Sequence, residues 1–274
     1  MKIVAHTIIK NEENWIWYSL ISVLDHVDEI MVYDTGSTDN TAEIIKTISS
    51  SKIKFRKLPP TADETALSKV RQLMLDQTQA DWLMILDGDE IWPEESLKTI
   101  SEFIKDHGDL YDSIVVPTIN CVGDVFHISP PGAGRYTIAG KTGHYNLRLI
   151  NLKKIPGLQV SNFPGQLQSY YDANSVKVQD RDPSKIAFIS APYLHMTHLT
   201  RSSSYFHDKE VFWRGPKFKF ELGNPFPDDL KYPKDFYLPR PNIVPSPWKK
   251  RSLNYVLNAV WQTPLKMIKR RIFK

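Results

Sequence analysis

Two acidic side chains one residue apart, Asp87 and Asp89, form the part of this sequence best suited to hold a hard divalent cation. Gly88 stands between them, and its missing side chain lets the backbone and a ligand approach closely. Mg²⁺ and Mn²⁺ prefer oxygen ligands, and Mg²⁺ often combines one or two protein carboxylates with the phosphates of a substrate. The triplet therefore predicts a site for Mn²⁺ or Mg²⁺ that a nucleoside diphosphate completes. The same carboxylates also suit a plainer role, capping a helix that begins near Pro93.

The residues before the acidic pair indicate where in a fold it lies. Residues 82–86 read Trp-Leu-Met-Ile-Leu, an apolar run typical of a buried strand. Over the first hundred residues such runs alternate with amphipathic stretches, which predicts an α/β fold with a parallel sheet. Polar clusters follow the strands at 10–13, 34–39 and 87–90. Because open sheets of this class bind ligands beyond the carboxyl ends of their strands, we expect the three clusters to meet there.

The remaining elements are predicted from periodicity and helix-capping signals. The predicted strands cover Ile3–Ile9, Glu29–Tyr33 and Asp81–Leu86. The first predicted helix has Asn11 as its cap, and the second spans Thr41–Ile48. The third includes Leu67–Met74, and the fourth begins at Pro93. Residues 111–214 carry more irregular strands, which we interpret as a mixed half that completes the same sheet. Eight prolines lie between 215 and 247, so we expect residues 215–248 to form an extended, wrapping segment.

The composition excludes several classes of protein. Of the 274 residues, 41% are hydrophobic and 24% are charged, which excludes a disordered chain or a fibre. The single cysteine, Cys121, excludes an internal disulfide and favours a reducing compartment. The first ten residues lack the apolar stretch of a signal peptide, so we expect a cytoplasmic protein.

Positive charge is concentrated at the C-terminal end of the chain. Residues 249–274 hold eight basic side chains and no acidic one, whereas residues 1–248 carry a formal charge of −4. A mildly acidic body argues against nucleic-acid binding, which requires basic side chains along a face of the fold. In 249–274 apolar residues interleave with the cations, which fits an amphipathic helix on the anionic cytoplasmic face of a membrane, interrupted at Pro264. A terminal helix docked on the body is the alternative.

Four motifs in the first half of the chain occur in a characteristic order and spacing. They are Ile8–Glu13, Val27–Ile30, Asp34–Thr41 and Asp87–Glu90. Together they closely resemble family 2 glycosyltransferases of the GT-A fold, strongly over residues 1–110 and loosely over the next hundred. The resemblance implies a Rossmann-like, mixed and mostly parallel sheet flanked by helices. Within a GT-A domain at 1–214, residues 1–110 would be the nucleotide-binding half and 111–214 the acceptor half, followed by the Pro-rich and helical extension.

The resemblance also implies which side chains contact the sugar donor. Those in its nucleotide-binding half are Lys10, Asn11, Glu12, Asp34, Thr35, Arg71, Asp87 and Gly88. Asp87 and Asp89 would hold the metal and the donor diphosphate. Many family members carry Asp where Thr35 stands, and a threonine offers only a hydroxyl, so the identity of the base stays open. Arg71 also fits a solvated position on a helix.

A later segment, His195–Arg201, supplies two imidazoles and a guanidinium after a predicted strand. In related folds a late histidine is often a further metal ligand, so His195 and His198 are candidates for that role. Either histidine also fits an ordinary structural position. Arg201 is suited to contact the phosphate oxygens of the donor, although a solvated basic face would explain it as well.

Sugar transfer with inversion also requires a base that takes the proton of the acceptor. Where the related subgroup shows a glycine followed shortly by a His-Glu pair, this chain reads Gly-Gln-Leu-Gln-Ser at 165–169, without the glutamate. Asp172 is the nearest acidic residue and Asp124 a more distant one, so they are the predicted catalytic carboxylates. Both also fit ordinary loop positions.

The sequence therefore predicts a metal-dependent, inverting glycosyltransferase. It would transfer a sugar from a nucleoside diphosphate sugar of the UDP or GDP type to a glycan, a lipid-linked sugar or a similar acceptor. A nucleotidyltransferase on a similar sheet is one alternative, but that class uses a glycine-rich basic first loop, whereas residues 10–13 read Lys-Asn-Glu-Glu. A non-catalytic protein that binds sugars or nucleotides is the other.

Overall fold

The structure is a computed structural model that describes residues 1–60, 63–134, 136–161, 169–211 and 214–272. Its strands are β1 Ile3–Ile9, β2 Glu29–Asp34, β3 Ile53–Lys57, β4 Trp82–Ile85, β5 Glu90–Ile91, β6 Ser113–Val122, β7 Asp124–Ile128, β8 Tyr136–Ile138, β9 Lys141–Gly143, β10 Tyr145–Asn151, β11 Gln159–Val160, β12 Tyr170–Tyr171, β13 Ile186–Phe188, β14 Tyr193–His198 and β15 Asn224–Pro225. Its helices are α1 Ile16–Leu24, α2 Thr41–Lys46, α3 Glu64–Asp76, α4 Glu94–His107, α5 Tyr205–Lys209, α6 Arg214–Lys217 and α7 Leu253–Ile272.

The first half of the chain builds the parallel part of the main sheet. β3, β2, β1 and β4 lie side by side in that order and are all parallel. Ile9 at the end of β1 pairs with Asp34 at the end of β2, and Asp87 follows two residues after β4. The polar residues after these strands therefore lie at one edge of the sheet, as expected for strands that alternate with helices.

The strands are apolar on both faces because helices cover both. Ala5 and Ile30 belong to the large core that the sheet forms with α1, α2 and α4. Their neighbours Val4 and Met31 point to the other face, where they pack with Met74 of α3. Alternate residues of a strand point to opposite faces, so a strand buried on both sides carries an uninterrupted apolar run.

The second half of the chain completes the same sheet with strands of both directions. β10 lies antiparallel between β4 and β6, and β6 also pairs in parallel with β13 and β14. β14 runs antiparallel to the short β5, where His195 pairs with Glu90. This pairing brings the late histidine segment back to the acidic pair that follows β4.

Some local structure differs from the sequence prediction. α1 begins at Ile16 with Trp15 as its N-cap, so Asn11 does not cap this helix as predicted. Asn11 instead has a φ of 55°, a left-handed conformation that asparagine tolerates better than most residues. Pro93 is the N-cap of α4 and precedes the helix. β3 was not predicted, because this edge strand is largely accessible to solvent and has no long apolar run.

The C-terminal extension wraps around the body before it becomes helical. β15 adds to the sheet beside β7, and Tyr232, Phe236 and Trp248 form an aromatic cluster that reaches Tyr18 of α1. α7 follows and continues through Pro264. Among the residues that the structure describes, no helix is long and apolar enough to cross a membrane.

Candidate active site

A cleft of about 360 Å³ opens at the carboxyl ends of the parallel strands. Both halves of the chain contribute charged side chains to its wall. They include Glu12 after β1, Arg71 on α3, Asp87 and Asp89 after β4, Arg148 on β10, His195 on β14 and Arg201. A wall of this kind suits a charged ligand, since buried charges need partners of opposite sign.

Asp87, Asp89 and His195 are the group in this cleft that could hold a metal ion. One ligand atom from each lies within 4.8 Å of the others, and Oδ2 of Asp89 is 3.4 Å from Nε2 of His195. Asp89 is fully buried, and its Oδ1 has no hydrogen-bond donor among the described residues. A buried carboxylate oxygen without a donor is costly unless a ligand or ion satisfies it, so these residues fit a divalent cation.

Both carboxylates are held in the charged form by neighbouring cations. Burial alone would raise the pKa of Asp89, but Arg201 and His195 outweigh it and hold this pKa well below its usual range. Nε of Arg201 lies 3.1 Å from Oδ2 of Asp89. Burial also acts against the charge of Asp87, and Arg148 lowers the pKa of that carboxyl in spite of it. The pair is therefore ready to bind a cation near neutral pH.

Arg148 is a buried charged residue of this cleft that the sequence analysis missed. Its guanidinium ion-pairs with Glu90, lies 3.2 Å from Oδ2 of Asp87 and donates from Nε to the Tyr193 hydroxyl at 3.0 Å. Leu147 and Leu149 face consecutive residues of β6, so Arg148 is the extra residue of a β-bulge. A bulge redirects the side chain it carries, and here it places a buried arginine beside the acidic pair.

Arg201 connects the loop after β1 to the acidic pair. Nη1 of Arg201 donates to Oε1 of Glu12 at 3.0 Å, and Arg214 contacts the same oxygen at 2.5 Å. Burial raises the pKa of Glu12 to about 7, against the opposing effect of the two arginines. Arg214 also pairs with Asp208 at 3.0 Å. Glu12 thus orients the arginine that faces Asp89.

The resemblance implies several nucleoside-binding residues whose side chains in the structure stabilise the loops beside the cleft. Asn11 is buried, accepts from the Thr38 amide at 2.8 Å and donates to the His207 carbonyl at 3.0 Å. Thr35 donates to the Ile9 carbonyl at 3.0 Å. Through these contacts both side chains hold the backbone of the loops in place, and neither side chain lines the cleft.

Asp34 and Lys10 also lie beside the cleft rather than in its wall. Oδ1 of Asp34 accepts from the amides of Gly36 and Ser37 at 3.1 and 2.8 Å. Its Oδ2 is buried and has no donor among the described residues, which leaves one acceptor of this carboxylate unsatisfied. The carbonyl of Lys10 accepts from Arg214 at 2.8 Å.

Gly88 and Arg71 lie in the cleft, as the resemblance implies. A Cβ built on Gly88 would lie 3.0 Å from a methyl of Ile9 and 3.1 Å from Cγ of Glu12, so a side chain here would press on the end of β1 and on the loop that follows it. Arg71 lies with its guanidinium 5.7 Å from the ring centre of Tyr170, which also lines the cleft. Such stacking holds a cation in place at the cleft wall.

His198 lies apart from the group of Asp87, Asp89 and His195 that could hold a metal ion. Nδ1 of His198 is 2.7 Å from the Lys217 carbonyl and Nε2 is 3.2 Å from Nζ of Lys219. Burial and the charge of Lys219 lower the pKa of His198 to about 3. Contacts at both ring nitrogens favour a structural role for His198, and its role as a metal ligand stays a prediction.

The two predicted catalytic carboxylates do not line the cleft. Asp172 accepts from the amides of Asn174 and Val176 and ion-pairs with Arg181. Asp124 is 2.6 Å from Nδ1 of His127 and accepts from the Arg251 amide. These contacts occupy both carboxylates and favour structural roles. Of the segment 165–169, in which the subgroup carries its glutamate, residues 165–168 lie outside the described residues.

Residues 5–159, more than half of the chain, match the family model for glycosyl transferase family 2. The chain belongs to this family. The match confirms the family that the four motifs predict, and with it the GT-A arrangement of a mixed, mostly parallel sheet between helices. Arg148, which the motifs do not include, also lies within the matched region.

Curated proteins and solved structures are both similar to parts of this chain. The glycosyltransferase SunS of Bacillus subtilis is 30% identical over 101 residues, which cover 36% of this chain and 23% of the relative. Staphylococcus aureus TarS 1–349 in complex with UDP aligns at 18% identity and a TM-score of 0.49, covering 72% of this chain and 60% of TarS. Glucosyl-3-phosphoglycerate synthase of Mycobacterium tuberculosis, with Mn²⁺ and UDP, aligns at 18% identity and a TM-score of 0.43, covering 71% of each chain.

Proposed function

We propose that this chain is a metal-dependent, inverting glycosyltransferase that uses a nucleoside diphosphate sugar of the UDP or GDP type. The observation that carries the proposal is the buried carboxylate of Asp89, which is held in its charged form and has an oxygen without a donor. Asp87 and His195 lie beside it in a charged cleft. Two carboxylates that follow β4, together with the imidazole of His195, suit a cation that carries a diphosphate.

In this proposal Asp87, Asp89 and His195 hold Mn²⁺ or Mg²⁺. When bound, the ion neutralises charge on the departing diphosphate without any transfer of a proton. The chain's own cations would assist from the cleft wall, where Arg71, Arg201 and Lys217 lie. Arg201 is already fixed between Glu12 and Asp89, so it would meet phosphate oxygens with little loss of side-chain freedom.

Asp34 is the proposed contact of the nucleoside. It lies at the end of β2, next to the end of β1, and keeps one buried oxygen without a donor. A carboxylate oxygen can accept from the hydroxyls of a ribose or from the N–H of a base. Lys10, Asn11 and Thr35 would act on the nucleoside by shaping the adjacent loops.

We propose a glycan or a lipid-linked sugar as the acceptor. The wall of the cleft opposite the parallel strands carries Tyr136, Tyr145 and Asn146, which combine aromatic faces with polar groups. Such a wall suits a sugar, because carbohydrates offer both hydroxyls and apolar C–H faces.

Thermal-shift measurements with nucleotides test the donor site. Saturating UDP-sugar or GDP-sugar with Mn²⁺ should raise the melting temperature by about 5 °C, because a ligand that binds only the folded form stabilises it. Asp89→Asn should remove the Mn²⁺-dependent part of the shift. Asp180→Asn is the matched control, because the exposed Asp180 stands in the chain's other Asp-x-Asp triplet, at 180–182. An undiminished shift in Asp89→Asn would contradict the proposed metal site.

The release of UDP or GDP tests the transfer reaction separately. A glycosyltransferase should release the nucleoside diphosphate slowly with Mn²⁺ alone and faster with an acceptor. Tight binding of the sugar nucleotide without release would instead indicate a non-catalytic binding protein. Release of pyrophosphate from a sugar phosphate and a nucleoside triphosphate would indicate a nucleotidyltransferase.

A further inference from the structure

The terminal helix α7 contacts the body through its more polar face. Thr263 accepts from the Leu222 amide at 2.9 Å, Lys266 donates to the Phe220 carbonyl at 2.7 Å, and Arg270 makes a bidentate pair with Glu221 at 2.5 and 2.8 Å. The Tyr255 hydroxyl donates to the Lys219 carbonyl at 2.6 Å. These four positions are spaced by multiples of a helical turn, so they define one face that is docked on the segment 219–222.

The opposite face of α7 is apolar and exposed. Its side chains follow the same helical spacing, displaced by two residues and therefore by about half a turn. They are Leu257, Val260, Trp261, Leu265, Ile268 and Ile272. Trp261 is 75% exposed and Leu257 is 62% exposed. A surface helix of a globular protein normally turns its apolar stripe toward the core, and α7 does the reverse.

The charges beside this apolar face are all of one sign. Lys249 and Lys250 precede the helix, and Lys269 and Arg271 lie near its end, all exposed. No Asp or Glu occurs in 249–272, and the acid that the helix contacts, Glu221, is already paired with Arg270. An exposed apolar stripe whose bordering charges are all positive is the pattern of a helix that binds the surface of an anionic bilayer.

We propose that α7 is a membrane-binding surface, which lies in the interface of an anionic bilayer with its apolar face inserted and its docked face holding the body. Charge favours this occupant over a second copy of the chain. Two copies that met through this face would each contribute cations and no acid, whereas anionic headgroups complement the lysines and arginines. The inference is independent of the transfer reaction, because it uses no residue of the cleft.

Vesicle flotation with the full chain tests this surface. The chain should float with vesicles of 70% phosphatidylcholine and 30% phosphatidylglycerol, and its apparent affinity for phosphatidylcholine vesicles should be at least tenfold lower. High salt should weaken the binding, because it screens the exposed cations. Absence of flotation with the anionic vesicles would overturn the proposal.

Two pairs of substitutions separate the apolar and the charged contributions. Trp261→Ser with Leu265→Ser should lower the affinity for anionic vesicles at least tenfold, because it removes the inserted side chains. Lys269→Gln with Arg271→Gln should also lower it, with a smaller dependence on salt. Leu110→Ser is the control, since Leu110 is 59% exposed but lies outside α7, and it should bind as the unmodified chain does.

Two further measurements show whether the variants report on the membrane. Each variant should keep the circular dichroism spectrum and the nucleotide-induced thermal shift of the unmodified chain, since the substituted side chains are exposed. Unchanged flotation of the serine variant would overturn the proposal. A dimer in sedimentation velocity that disappears in the serine variant would overturn it as well, because the apolar face would then be a self-association surface.

Discussion

The cleft and the terminal helix differ in how their positively charged side chains are paired and exposed. In the cleft Arg148 and Arg201 are buried, and each lies between two carboxylates. Around α7 the exposed cations Lys269 and Arg271 border an apolar face and have no acidic residue on their own helix. Buried charges must be paired within the fold, whereas exposed charges can attract something outside it. The comparison suggests a folded centre for binding a charged ligand and a separate surface for attaching the protein.

The largest expected effect concerns the buried cations of the cleft. Arg201→Ala removes the ion-pair partner of the buried Asp89 and one of the two arginines that pair with Glu12. Breaking a buried ion pair by removing one partner typically costs about 3–5 kcal/mol. Urea denaturation should therefore show a loss of this size in the free energy of unfolding.

Arg271→Ala is the matched control, because it removes an exposed cation of α7. It should change the free energy of unfolding by less than about 0.5 kcal/mol. Similar losses for the two variants would contradict the distinction between buried, paired charge and exposed charge.

A smaller effect is expected at the segment that connects the two regions. His198 contacts Lys217 and Lys219, just before the segment on which α7 is docked. Burial lowers the pKa of His198 to about 3, well below its usual 6.5, so the folded state disfavours the protonated ring. The contribution of His198 to the free energy of unfolding is therefore fully present above pH 6.5 and is lost as the pH falls toward 3.

Replacing His198 by glutamine removes this titration. Between pH 7 and pH 5 the unmodified chain should lose about 2 kcal/mol more stability than His198→Gln, since one unit of pKa shift corresponds to about 1.4 kcal/mol. Urea denaturation at several pH values measures the difference. If the free energy of unfolding changed with pH in the same way for both proteins, His198 would have the same pKa in the folded and the unfolded state.

The smallest effect concerns the docked face of α7. Thr263→Val keeps the shape of the side chain but leaves the Leu222 amide without its acceptor. Loss of one such hydrogen bond should cost about 1 kcal/mol. Gln262→Ala, one residue away on the helix, should cost less, and an equal loss in both variants would contradict a specific contribution of the Thr263–Leu222 hydrogen bond.

Much of the acidic pair's position was predictable, because the signals are local. An apolar run before Asp87 indicates a buried strand, and the alternation with helices places its end beside the ends of its neighbours. Arg148 was not predictable, since it lies 61 residues after Asp87 and reaches it only through antiparallel pairing and a bulge. No pattern within ten or fifteen residues carries that information.

The two candidate histidines also show which information is local in the sequence and which depends on the tertiary structure. The sequence left His195 and His198 equally suited to hold a metal, because both follow one strand. The pairing of β14 with β5 places His195 opposite Glu90 and so beside Asp89, while His198 contacts Lys217 and Lys219. The choice between them depends on a contact between segments about a hundred residues apart.

By itself the sequence determined most elements of the parallel half, the family and many of the residue types in the cleft, because periodicity, capping and motif spacing are properties of neighbouring residues. It also indicated an amphipathic segment at 249–274. Only the tertiary structure decided which carboxylates are paired, which histidine joins them and which face of α7 is docked. These outcomes depend on burial and on long-range strand pairing, and both arise only when distant parts of the chain pack together.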